Sequence, residues 1–227
     1  MNNSAKLPIV EIFESIEGEG TKAGYPTIFI RLFGCNLRCS WCDTPYSYPP
    51  STPEKWLSIS EIINEVKKYS AQHICLTGGE PLLYKDNVKM LLQELSNLSS
   101  IKDVHIETNG AIDLEDYIND LTNEKVRYIM DLKLNSSNEF AKMVMRNLEI
   151  LRSQDEVKFV IASEDDFKQA HEILQKYSIK SVILMSPVWD SMPPAKLVEL
   201  ILAYRLSFVK LSLQLHKVIW DPNLKGV

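Results

Sequence analysis

The sequence predicts an α/β fold, a partial, open (β/α) barrel with about six parallel core strands. Three observations predict it. Short β-branched and apolar runs alternate with amphipathic helical stripes for most of the length, as in a mostly parallel sheet with crossover helices. At 227 residues the chain is shorter than a closed eight-unit barrel of about 250 residues requires. Chemistry-bearing residues stand just after several of the runs, where parallel barrels carry their active-site loops.

The elements follow in order. Strand-like runs fall at Thr27–Phe33, His73–Thr77, Asp103–Thr108, Arg127–Leu132, Glu156–Ile161, Ser181–Met185 and Phe208–Leu213. Between them, Ile59, Ile62, Ile63 and Val66 form a helical stripe, with Ser58 and Glu61 spaced as a capping box at its start. Val88, Leu91, Leu92 and Leu95 form a second stripe, and Phe167, Ala170, Ile173, Leu174 and Tyr177 a third. Leu197, Leu200, Ile201 and Tyr204 form the last, entered through Pro193 and Pro194. The stretch Thr44–Lys55, rich in Pro, Ser and Tyr, predicts an ordered irregular insertion. No repeat, low-complexity tract or second domain is visible, so a single domain over residues 1–227 is expected.

Bulk properties narrow the function. Hydrophobic content of 45% with 24% charged residues is ordinary for a soluble globular protein. A net charge of −5 leaves no global basic footprint for nucleic acid or an anionic membrane. The segment Met1–Pro8 lacks the apolar core of a signal peptide, and no apolar run is long enough to span a bilayer. Three of the four cysteines are clustered, which points to a metal or redox site in a reducing cytoplasm rather than a disulfide framework.

That cluster is the strongest chemical signal. Cys35, Cys39 and Cys42 stand at CxxxCxxC spacing in one short loop after the first strand run, and three thiolates on one loop can hold three irons of a [4Fe–4S] cluster. The fourth iron would then be open to a small molecule. A structural zinc site with Cys75 or a His as fourth ligand is the alternative, although zinc favours paired CxxC or Cys/His spacings and no second pair exists. Cys75 itself lies mid-strand and reads as core.

Other constellations follow the strands. Thr77-Gly78-Gly79-Glu80-Pro81 reads either as a tight strand–helix turn or as a backbone cradle with Glu80 facing a cation. Glu107-Thr108-Asn109-Gly110 is a turn by its Asn-Gly pair, and it also places Glu107 near the barrel mouth. Asp131-Leu132-Lys133 ends the next strand, with Lys133 either solvated or turned to the same mouth. His216, beside apolar residues, is either a structural histidine or a site residue.

The cysteine loop, with Trp41 before its last Cys, resembles the signature of the radical S-adenosylmethionine (SAM) superfamily, and Gly78-Gly79-Glu80-Pro81 resembles its GGEP motif. Ile16-Glu17-Gly18-Glu19-Gly20, Arg31, Asp43-Thr44, Glu107-Thr108-Asn109-Gly110 and Gln214-Leu215-His216-Lys217 extend the resemblance to the 7-carboxy-7-deazaguanine synthase family, from about Ile9 to the C-terminus. Glu17 stands where many members have Gln; an anionic side chain there accepts ring N–H bonds but cannot donate.

The resemblance implies a single radical SAM domain and a carbon–nitrogen lyase acting on 6-carboxy-5,6,7,8-tetrahydropterin. The product would be 7-carboxy-7-deazaguanine, with loss of ammonia, on the way to 7-deazapurines such as preQ0 and queuosine. It implies a [4Fe–4S] cluster on Cys35, Cys39 and Cys42, with SAM on its open iron and held by Gly78, Gly79, Glu80, Glu107, Asn109 and Trp41. SAM would furnish a 5′-deoxyadenosyl radical that takes a hydrogen from the substrate and later returns it. Pterin contacts would come from Glu17, Gly18, Glu19, Gly20, Arg31, Thr108, Lys133 and His216, and Mg²⁺ would sit on Thr44. A reducing protein such as a flavodoxin, a homodimer, a cytoplasmic location and no nucleic-acid or membrane partner complete the expectation. A glycyl-radical activating enzyme shares the cysteine spacing, and a non-catalytic iron–sulfur protein would need only the cluster.

Overall fold

The computed structural model describes residues 6–222 and 224–227; the first five residues of the segment read for a signal peptide lie outside them. A nine-stranded sheet runs in the order β3-β1-β2-β4-β5-β6-β7-β8-β9. Here β1 is Lys6–Ile16, β2 Pro26–Leu32, β3 Lys55–Ser58, β4 His73–Gly78 and β5 Asp103–Thr108; β6 is Val126–Lys133, β7 Glu156–Ile161, β8 Val182–Pro187 and β9 Val209–Leu211. The seven strands from β2 through β4–β9 pair in parallel. β1 is antiparallel to both β2 and β3. The sheet has two free edges, β3 and β9, and does not close.

The parallel strands stand where the apolar runs predict them, within one or two residues at each end. β1 and β3 are additions. β1 pairs antiparallel with β2, and its Glu11 and Glu14 find partners in Arg31 and the Ala71 N–H. β3 lies at the end of the predicted insertion and is held by four register pairs with β1, Lys6↔Ser58 to Ile9↔Lys55.

Among the described residues seven α-helices accompany the sheet: α1 Ile59–Val66, α2 Lys85–Asn97, α3 Glu115–Asp120, α4 Asn147–Ile150, α5 Glu164–Lys176, α6 Pro194–Ala203 and α7 Leu215–Ile219. The capping box at α1 is formed in both directions, the Ser58 side chain accepting from the Glu61 N–H while Glu61 accepts from the Ser58 N–H at 2.7 Å. Ser163 caps α5 by accepting from the Asp166 N–H at 3.1 Å.

One apolar core joins these helices to one face of the sheet. Ile30, Leu32, Leu76, Val104, Ile106, Met130, Leu132, Val157, Phe159 and Met185 pack with Ile62, Leu91, Leu95, Phe167 and Leu197. Burying one such side chain stabilises the fold by about 1.5–3 kcal/mol. The alternate residues of the same strands point the other way, and their chemistry differs: Arg31, Cys75, Thr77, His105, Glu107, Arg127, Asp131, Lys133, Glu156 and Lys158. Side chains alternate across a strand, so the core seals one face and leaves this polar face as the wall of the site.

Candidate active site

Residues from β1, β2 and β4 to β8 line a single cavity of about 710 Å³, so the open sheet curls around it. The three clustered cysteines, all half-buried and none in a disulfide, open onto it. Their loop leaves the end of β2, and two glycines let it lie against the end of β4. A Cβ on Gly78 would lie 2.2 Å from the Leu32 carbonyl oxygen, and one on Gly79 would lie 2.3 Å from the Gly34 oxygen and 2.7 Å from Cys35 Cβ. The Glu80 N–H then donates to the Gly34 carbonyl at 2.7 Å, fixing the two loops together. The paired glycines therefore serve close backbone approach, with both of them still facing the cavity.

Burial pushes the Cys35 thiol up and the Cys39 thiol up to about 11, with the neighbouring cysteines adding to both shifts. Iron binding requires thiolates, so a metal would release protons here. The Leu37 N–H points at Cys35 Sγ at 3.4 Å and Asn109 Nδ2 at 3.7 Å, donors of the kind that stabilise thiolate sulfur. Trp41 Nε1 is buried beside the loop with no hydrogen-bond partner among the described residues. Three convergent thiols and an orphaned indole donor fit a sulfur-ligated cluster. Cys75 does not join them: it is fully buried in β4, and burial pushes its thiol strongly upward.

Glu80 is placed behind the wall rather than on it. Its carboxylate is fully buried and accepts from the Asn109 N–H at 2.7 Å, the Leu82 N–H at 3.0 Å and Thr108 Oγ1 at 3.0 Å. Burial raises its carboxyl to about 7 against those donors. Glu107 does face the cavity, accepts from Thr77 Oγ1 at 2.8 Å, and is also raised to about 7 by burial, with Glu17, Glu19 and Asp131 opposing its ionisation. Asn109 lines the cavity and bonds Asn36 Oδ1 at 2.8 Å.

The opposite wall is built by charge pairs. Lys158, on β7, bridges Glu19 Oε2 at 2.5 Å and Asp131 Oδ1 at 3.0 Å, and Gln214 donates to the other Glu19 oxygen at 3.0 Å. Lys133 bonds Asp131 Oδ2 at 2.6 Å and lies 4.8 Å above the Trp41 ring. Arg31 bonds Glu11 through Nε at 2.7 Å and lines the cavity, as do Thr44 and Thr108. Gly18 is packed under His216, since a Cβ there would lie 2.4 Å from His216 Nδ1, and both residues line the cavity. Gly20 is off the wall, its N–H donating to Ser212 Oγ at 3.1 Å. Glu17 is on the wall although almost wholly buried, and is held from below by His105 Nε2 at 2.8 Å.

Two residues here escape sequence reading. Lys158 sits inside an apolar run, and only its alternation with Val157 and Phe159 marks it as facing the other side. His105 does the same between Val104 and Ile106.

The chain matches the model of the radical SAM superfamily over residues 29–203. It is 38% identical over 221 residues to the 7-carboxy-7-deazaguanine synthase of Clostridium acetobutylicum, covering 96% of this chain and 98% of that one. The chain belongs to the 7-carboxy-7-deazaguanine synthase family. A second member, from Methanospirillum hungatei, is 39% identical over 219 residues, or 96% of this chain and 88% of that one. The crystal structure of QueE from Escherichia coli superposes with a TM-score of 0.72 at 24% identity, over 92% of this chain and 94% of that one, which shows the shared fold. For a member of this family, the three thiols at the cavity mouth have an evident use, and no helix of the described residues is long and apolar enough to cross a membrane.

Proposed function

We propose that this chain is a single-domain radical SAM lyase that converts 6-carboxy-5,6,7,8-tetrahydropterin to 7-carboxy-7-deazaguanine with release of ammonia, in 7-deazapurine biosynthesis. The observation that carries the reading is the convergence of the cysteine triplet and a wall of carboxylates, amides and cations on one cavity. When bound, the cluster and SAM supply a 5′-deoxyadenosyl radical, and the protein's part is to bind, orient and keep water out.

Cys35, Cys39 and Cys42 hold the cluster. Gly78 and Gly79 offer backbone to SAM, and Trp41, Glu107 and Asn109 line its side; Glu80 acts from behind by fixing Thr108 and the Asn109 backbone. Glu17, Gly18, Glu19, Arg31, Thr108, Lys133 and His216 face the pterin, while Gly20 shapes the loop that carries Glu19. Arg31 is suited to the substrate carboxylate. Thr44, two residues after the last cysteine, offers a hard oxygen to a Mg²⁺ shared with that carboxylate. A flavodoxin-like reductant, a homodimer and a cytoplasmic location belong to the same proposal. The cavity is lined in part by Pro222 and Leu224–Val227, which favours a small ligand over the protein loop that a glycyl-radical activating enzyme must admit.

Anaerobically reconstituted protein supplied with SAM, Mg²⁺, a reductant and the carboxypterin tests the proposal by chromatography. The expected result is the deazaguanine product, dependent on Mg²⁺, with 5′-deoxyadenosine far below product. Absence of product, or deoxyadenosine formed in step with it, would overturn the assignment.

A further inference from the structure

Beneath the cavity floor lies a buried polar chain that the proposed chemistry does not use. His105 is fully buried on β5, with Nε2 2.8 Å from Glu17 Oε2 and Nδ1 2.9 Å from Asp103 Oδ2. Asp103 continues to Arg127 (2.6 Å from Nε to Oδ1), and Arg127 to Glu156 (2.6 Å from Nη1 to Oε1). Both neighbours of the imidazole are carboxylates, which only accept when ionised, so both ring nitrogens donate and the ring is an imidazolium. Cys75 Sγ lies within 4.8 Å of the Glu17 and His105 ligand atoms, a set able in principle to hold a metal. With both ring nitrogens committed to carboxylates, His105 has no lone pair to offer one.

Glu17 is the only link of this chain that lines the cavity. One of its oxygens accepts from His105; the other accepts from the Glu19 N–H at 3.2 Å, at the edge of hydrogen-bond range. We propose that His105 is a positioning residue for substrate recognition: it locks Glu17 as an anionic, acceptor-only group in the cavity wall, so that the site selects a ligand edge rich in N–H donors. This rests on the carboxypterin reading, because such an edge is what a pterin ring presents.

The electrostatics agree. Around His105 stand Glu17 from the loop after β1, Cys75 and His73 on β4 and Asp103 on its own strand, with Arg127 on β6 bonded to Asp103. Against a desolvation penalty, the neighbouring Cys75 together with hydrogen bonds to Asp103 and Glu17 holds the imidazole pKa well above its ordinary value. His105 in turn holds the Glu17 carboxyl below its ordinary value despite burial. Without the imidazolium, burial would raise the Glu17 carboxyl with only the Glu19 N–H and Lys158 opposing it, and its protonated form presents a donor where the ligand also brings one.

His105→Gln tests this in the reconstituted holoenzyme, with iron content and SAM binding as controls for the fold. The expected result is a KM for the carboxypterin raised about tenfold with kcat little changed, the size of a lost charge-assisted hydrogen bond. That KM should fall as pH rises and Glu17 reionises, whereas the wild-type KM carries no such limb. A wild-type KM in the variant, or a raised KM without the pH dependence, would overturn the proposal. Should the variant fail to fold, Glu17→Gln gives the second reading: a raised KM that is flat with pH is expected, and an unchanged KM overturns the proposal. A wild-type protein that does not turn over the carboxypterin would instead defeat the functional reading itself.

Discussion

Along β5, Val104 and Ile106 point into the apolar core, while Asp103, His105 and Glu107 point to the cavity side. β7 repeats the contrast, with Val157, Phe159 and Ile161 on one face and Glu156 and Lys158 on the other. Both faces are buried, yet they are buried by different means. One face is closed by helices and gains hydrophobic stabilisation; the other is satisfied by ion pairs such as Lys158–Glu19 and Arg127–Asp103. Buried ion pairs contribute little net stability compared with apolar packing of the same volume. A face of this kind costs stability unless it binds something, which locates function on it.

Substitutions on the two faces should separate accordingly. The largest effect belongs to the cysteine loop. Cys39→Ala should abolish turnover and prevent assembly of the cluster, while Cys75→Ala, on β4 below the floor, should keep its full iron content by iron and sulfide analysis. A full cluster in Cys39→Ala, or its loss in Cys75→Ala, breaks the assignment of the three ligands.

The next contrast is within β7. Phe159→Ala removes a fully buried ring from the core and should cost about 3–5 kcal/mol in denaturant unfolding, with KM unchanged in the protein that remains folded. Lys158→Met keeps an aliphatic stem but frees Glu19 and Asp131, and should lower kcat/KM by about 100-fold through misplaced wall groups. Its unfolding free energy should move less than that of Phe159→Ala. If Lys158→Met is the more destabilised of the two and retains its activity, the division between the faces is wrong.

Much of this was legible in the sequence because β-branched and apolar residues recur along the strands, as at Asp103–Thr108 and Glu156–Ile161, whose bounds the structure reproduces. β1 was not legible, because its Glu11 and Glu14 look like loop residues until their partners are known: Glu11 bonds Arg31, and Glu14 accepts from the Ala71 N–H. The cysteine triplet and the paired glycines are local signals, readable without the fold. His105 and Lys158 are not, since each owes its role to a carboxylate at least 80 residues away in the chain, Glu17 in one case and Glu19 in the other. Glu80 is the converse: its motif is evident in the sequence, but the bonds its carboxylate accepts from the Asn109 and Leu82 N–H groups are visible only in the tertiary structure.

The central claim is that three cysteines hold a cluster whose remaining iron faces the cavity and binds SAM. Electron paramagnetic resonance of the anaerobically reduced protein, recorded with and without SAM, addresses it most directly. The account predicts a [4Fe–4S]⁺ signal whose g-values and line shape change on addition of SAM, with the change absent in a variant that lacks the cluster. A reduced-cluster signal indifferent to saturating SAM would contradict it and would mark the protein as an iron–sulfur carrier without this chemistry.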